Sequence, residues 1–200
     1  MINIEKLSEG IINRFLKKQN LNEIEKAKIQ YGLSLIIGIL IEFIFVILIS
    51  MIFKSSYYTS IIMLSSLFLR IGTGGAHCST YNKCVAFTTI YFIPFSIIAK
   101  YSIKILPEIY IFFISSALFA FIFILLRHYL FYKISMLIML IVNIIFFLLN
   151  KYYVLGFLFL LSIGFFMQAF MTTSTGLKFV NYADKLMDKI MAKNIFSSDM

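Results

Sequence analysis

The sequence predicts an all-α protein: a polytopic integral membrane helical bundle of about six spans, or four spans plus two re-entrant segments, with amphipathic surface helices at its N- and C-terminal ends. Three observations carry that prediction. Of 200 residues, 61% are hydrophobic and only 14% are charged, against roughly 25% charged in an ordinary soluble domain. The mean hydropathy is +0.94. Six apolar runs, at about 31–53, 55–69, 85–99, 109–126, 134–149 and 152–173, succeed one another with short polar breaks. A soluble chain of this length buries only about 70% of the surface that its unfolded form exposes, so lipid is the natural solvent for so apolar a sequence. The composition excludes a cytosolic globular enzyme, a disordered chain, a collagen-like fibre and a disulfide scaffold; two Cys make no disulfide framework.

The first 30 residues are the most polar stretch. Ile4, Leu7, Ile11 and Phe15 recur at helical spacing among Lys6, Arg14, Lys17, Lys18, Glu5 and Glu9, which reads as an amphipathic helix on the membrane face. Asn20 with Glu23 is a candidate cap for a second short helix. No apolar h-region or small-residue cleavage site follows, so the segment does not read as a signal peptide. Of the apolar runs, 31–53, 109–126 and 152–173 are long enough to span by themselves. The runs 55–69, 85–99 and 134–149 are short and must recruit semi-polar neighbours, thin the bilayer or re-enter. After 173 the chain turns polar again, and Val180, Ala183, Met187 and Ile190 at helical spacing predict a cytoplasmic surface helix over 174–200. The chain thus reads as one membrane-embedded unit: 1–30 amphipathic, 31–173 spanning, 174–200 a terminal helix.

The net charge of +9 is explained by topology and anionic lipid. No basic-aromatic module typical of nucleic-acid binding is present. In the six-span arrangement with the N-terminus inside, fourteen of the eighteen Lys and Arg fall on cytoplasmic segments. The positive-inside rule therefore places both termini in the cytoplasm of a multi-pass protein of the cell membrane. It also puts residues 70–84 at the cytoplasmic face.

That segment, Arg70-Ile-Gly-Thr-Gly-Gly-Ala-His-Cys-Ser-Thr-Tyr-Asn-Lys-Cys84, holds three of nine Gly, both Cys and one of two His. Irregular backbone at membrane depth is tolerated only where it is buried in protein or lines a wet cavity. Cys with His is the minimal set for thiol nucleophilic catalysis, the imidazole taking the thiol proton. His77 and Cys84 would stand about 10 Å apart along a single helix. They can act together only if the chain bends between them, with Cys84 opening the next span. Lys83 and a helix N-terminus would both favour a thiolate there. His77, Cys78, Cys84 and His128 form no zinc spacing. Glu42 is an intramembrane carboxylate whose depth, near mid-span, argues for a structural role rather than contact with His77. Asn143 and Gln168 read as interhelical hydrogen bonders.

Arg70, Gly74-Gly75-Ala76-His77 and Lys83-Cys84 resemble the signature of the accessory gene regulator B family, membrane cysteine endopeptidases that process quorum-sensing propeptides. Chain length, basic amphipathic start and hydrophobic remainder resemble it too. The resemblance implies His77 and Cys84 as catalytic residues and Arg70, Gly74 and Gly75 as supporting or substrate-binding residues. It implies no metal or organic cofactor. The implied partners are a propeptide with an amphipathic leader and an acidic C-terminal part, membrane lipid and a second copy in a homodimer. Cys78 matches no family role and reads as a spectator thiol. The sequence departs from the family in the segment Arg127–Lys133, which lacks the usual Pro. The competing classes are a small membrane transporter, for which intramembrane polar residues are sparse, and a non-enzymatic assembly protein, which has no use for the Gly-His-Cys cluster.

Overall fold

The structure is a computed structural model that describes Gly10, residues 22–76 and residues 78–196, the last six by backbone alone. The expected amphipathic helix at the start of the chain, together with Asn20 and His77, lies outside the described residues. Seven long helices, and no strand, make up the described residues.

Helix α1 (Glu23–Ile52) runs for 30 residues, about 45 Å at 1.5 Å per residue. It absorbs the polar stretch from residue 23 that was expected to form a separate short helix. The N-terminal signal is real but sits two residues later than Asn20 and Glu23. Asn22 is the cap, its side chain accepting from the Ile24 N–H, while Glu25 Oε2 accepts from the Asn22 N–H at 3.1 Å.

The short apolar runs lengthen in the way their ends allow. Run 55–69 becomes α2 (Ser56–Thr73), run 85–99 becomes α3 (Tyr81–Ile105), and run 134–149 becomes α5 (Leu130–Leu148). Each of the three is one continuous helix. Pro94 sits within α3 without ending it. Helices α4 (Glu108–Leu125) and α6 (Tyr152–Met171) follow their runs closely, and α7 (Ser174–Phe196) matches the predicted terminal helix.

Five helices, α1, α3, α4, α5 and α6, are long and apolar enough to cross a membrane. The chain is thus a helical, multi-pass membrane protein by length and composition. Six such helices were expected. α2 falls short in apolarity because Ser56, Tyr57, Tyr58, Thr59, Ser60, Ser65, Ser66 and Arg70 dilute it. Its hydroxyls turn into protein rather than lipid: Thr59, Ser65 and Ser66 are buried, and Thr59 Oγ1 donates to Ser96 Oγ of α3 at 2.8 Å.

Helix α6 is the axis of the bundle. It is buried along most of its length, between α2 on one side and α4 and α5 on the other. Gly164 lets α2 approach so closely that a Cβ there would overlap the Ile62 carbonyl oxygen and Ser65 Oγ. Small residues serve this purpose in membrane bundles, where apolar side chains gain nothing by leaving lipid. Asn143 of α5 bridges to α4, its Nδ2 donating to Ser115 Oγ and Ser116 Oγ at 2.9 Å each. α1 packs outside this core against α2 and α3, and α7 lies along α6 and α3.

Candidate active site

The helix breaks where the Gly-rich sequence says it should. α2 ends at Thr73 and α3 starts at Tyr81; the described residues between them, 74–76 and 78–80, are irregular. The bend that His77 and Cys84 would need is therefore present. Gly74 has φ 68° with ψ −144°, and Gly75 has φ 152°. Side chains with a Cβ avoid that half of the map, so the turn depends on glycine.

Three long-range contacts pin the loop. From α6, Gln168 Nε2 donates to the Gly74 carbonyl at 2.6 Å. From α5, or rather the turn before it, the Tyr129 hydroxyl donates to the Thr73 carbonyl at 3.2 Å. From α7, Asp184 Oδ1 accepts from the Ser79 N–H at 3.0 Å. Arg70 itself reaches back over the loop, its guanidinium 3.4 Å from the Ala76 carbonyl. Gln168 was expected to link helices; it holds a loop carbonyl instead.

Cys84 lies in the first turn of α3, its N–H bonded to the Thr80 carbonyl at 3.1 Å. It opens the span, as the sequence suggested. Its side chain lines a cavity of about 170 Å³ between α1, α2 and α3, together with Glu42, Arg70, Tyr81, Ser66 and Phe92. A second, smaller cavity on the α6–α7 side also has Cys84 and Arg70 in its wall, with Ala76, Cys78, Gln168 and Val180. Arg70, Gly74, Gly75 and Cys84 thus gather around one bend. His77 is outside the described residues, but its two chain neighbours, Ala76 and Cys78, both reach the Cys84 cavity.

Two electrostatic expectations are corrected. Lys83 does not face the thiol. Its ammonium, on a side chain only 6% exposed, turns to α7 and meets Asp188 Oδ1 at 2.7 Å and Asp184 Oδ2 at 3.5 Å. Successive helical residues point to different faces, so a charge next to Cys84 in sequence is aimed elsewhere in space. Glu42 and Arg70, not Lys83, share the cavity that Cys84 lines. Glu42, read from its depth as remote, lines the thiol's own cavity. The Tyr81 hydroxyl donates to the Gly38 carbonyl at 2.8 Å and so sets the middle of α1 level with the first turn of α3. Because α1 starts at residue 23, a position counted as mid-span from the apolar run lies at the site.

Cys78 sits beside Cys84. Burial, and then the nearby Cys84 charge, push the Cys78 thiol up to about 12. Among the described residues no three His, Cys, Asp or Glu side chains are grouped to hold a metal ion. The residues that sequence reasoning missed are Tyr81, Asp184 and Asp188. One signal for the last two was available: Val180, Asp184 and Asp188 repeat at i, i+4, i+8 in a tail that also carries four Lys.

A family model described as accessory gene regulator B matches residues 8–172. The chain belongs to the accessory gene regulator B family. The match covers all of α1 to α6 and the Arg70–Cys84 segment with its bend, and stops before α7. Membership ties the protein to quorum-sensing peptide processing. Comparison with curated proteins and with solved structures gives no match.

Proposed function

We propose that this accessory gene regulator B protein is a cysteine endopeptidase of the cell membrane, cleaving the C-terminal part of a quorum-sensing propeptide through a Cys84 acyl-enzyme. The observation that carries the reading is the placement of Cys84. It stands on the first turn of α3, in the wall of two cavities it shares with Arg70, the smaller of which is also lined by residues 76 and 78 of the loop.

In this reaction the Cys84 sulfur attacks a peptide carbonyl carbon while His77 takes the thiol proton. The tetrahedral intermediate collapses with rupture of the C–N bond, and His77 returns the proton to the leaving amine. The remaining thioester is then attacked by an internal Cys or Ser of the peptide. That step frees Cys84 and closes a thiolactone or lactone ring. The mainly apolar walls, with Phe43, Met63 and Phe92 among them, limit water and so favour ring closure over hydrolysis. The Arg70 guanidinium balances the thiolate or tetrahedral charge and receives the acidic part of the substrate. Gly74 and Gly75 shape the loop.

The same reading takes α2 as a sixth crossing, its low apolarity offset by burial against α6, and places both termini in the cytoplasm by the distribution of Lys and Arg. The residue assignments are tested by mass spectrometry of the candidate propeptide incubated with purified protein in lipid. Wild type and Cys78→Ala should release the same fragment, while Cys84→Ala and His77→Ala, both folded, should release none. Cleavage by Cys84→Ala would overturn the nucleophile.

A further inference from the structure

The C-terminal helix does more than lie on the surface. Asp184 and Asp188, one turn apart on α7, share a face with Val180, which is 1% exposed and lines the small cavity beside Cys84. From that face Asp184 Oδ1 accepts from both the N–H and the hydroxyl of Ser79, at 3.0 and 3.2 Å. Lys83 Nζ donates to Ser79 Oγ at 2.7 Å and pairs with both carboxylates, at 2.7 Å to Asp188 and 3.5 Å to Asp184. Ser79, Asp184 and Lys83 form a closed ring, and Asp188 is joined to it through Lys83; Ser79 is two positions after His77, and Lys83 is immediately before Cys84.

The chemistry favours a fixed geometry. A near-buried ammonium needs its charge matched, and removing its partners leaves it uncompensated. The Ser79 N–H lies just outside α3, where an anion is favoured by the unpaired amides and dipole of the helix start. Ring contacts hold the rest of α7 in place, Phe179 meeting Phe87, Tyr91 and Phe170 at 5.8, 6.2 and 6.4 Å between centroids. The carboxylates thus act directly on Ser79, in the loop, and on Lys83, in the first turn of α3.

We infer that Asp184 and Asp188 of α7 are positioning residues for the reaction, holding residues 79–83 so that the Cys84 thiol and the loop carrying His77 keep their mutual geometry. The inference rests on the proposed peptidase reading. A shift of about 1 Å at a reacting group can cost about 100-fold in rate.

The experiment uses full-length protein in lipid and three readouts: kcat and KM for the propeptide, per Cys84 titrated; the rate of Cys84 alkylation by a small maleimide in a Cys78→Ser background; and the thermal midpoint. Asp184→Asn with Asp188→Asn should lower kcat about tenfold or more with KM within about twofold, and change the alkylation rate at least about threefold. Asp188→Glu and Lys83→Arg, which keep the charges, should recover most of kcat. Unchanged kcat and alkylation in the double variant overturn the inference. So does a fall in midpoint with kcat per titrated thiol unchanged, since that marks a structural tie alone. If wild type cleaves no peptide, the peptidase reading fails, and the alkylation arm still decides whether the tail sets the environment of Cys84.

Discussion

Replacing Gly74 by Ala separates the two ways in which the loop can respond to strain. The Gly74 backbone, at φ 68° and ψ −144°, lies in a region that is close to Gly-only and costs other residues about 1–3 kcal/mol. A Cβ built there has nothing within 4 Å, so no packing term adds to this. The chain can escape the strain only by moving the Gly74 carbonyl away from Gln168 Nε2, now 2.6 Å distant. Gln168 is 2% exposed, and leaving its amide unpaired costs about 1–3 kcal/mol. These are alternative costs and do not sum, so the expected loss is about 1–3 kcal/mol by either route. For a chain of this size that lowers the thermal midpoint by about 2–12 °C. The assay is thermal unfolding of wild type, Gly74→Ala, Gln168→Leu and the double variant in one detergent. Additive losses mean that the strain is kept with the hydrogen bond intact; a double variant no less stable than Gln168→Leu means that the bond gives way. Midpoints for Gly74→Ala and Gln168→Leu both within about 1 °C of wild type would refute the claim that α6 holds this turn.

Other outcomes follow from the packing. Gly164→Ala should cost at least about 1–3 kcal/mol, because the Ile62 backbone carbonyl cannot rotate away as a side chain can; an unchanged unfolding midpoint would contradict the close α2–α6 approach. Asn143→Leu should cost less than about 1 kcal/mol despite complete burial. Its Oδ1 has no partner among the described residues, and Ser115 keeps its bond to the Ile111 carbonyl at 2.8 Å; a larger loss in the same assay would count against this. Asp184 is held below its usual 3.8 chiefly by the Ser79 N–H. A depressed carboxylate stabilises above its unfolded pKa, and that contribution is lost as pH falls through the folded value. The midpoint difference between wild type and Asp184→Asn should thus be constant from pH 7 to about 5 and shrink below about 4; a difference that grows on acidification reverses the sign and the argument.

Much of the site was legible because its signals are local. A Gly-rich break between apolar runs, with Arg70, His77 and Cys84 along it, is visible in fifteen consecutive residues, and the bend between Thr73 and Tyr81 is where glycine allows it. The charge environment was not legible. Lys83 neighbours Cys84 in sequence yet faces α7, whereas Glu42, forty-two positions before it, faces the cavity. The depth of Glu42 was misjudged because an apolar run marks only what is hydrophobic, and α1 begins eight residues before its run at a capping box.

The amino-acid sequence by itself determined the solvent of this protein, the helical state of its segments and the location of the Gly-rich bend that ends at Cys84. Each of these depends on composition, period or neighbours along the chain. Tertiary structure alone decided that α6 is the central helix, that Gln168 holds the Gly74 carbonyl across 94 positions, and that Asp184 meets Ser79 across 105. In lipid, apolar faces carry little information about which helix packs on which. The choice falls to small-residue contacts such as Gly164 and to the few polar groups that must find partners, and those are settled only when the helices come together.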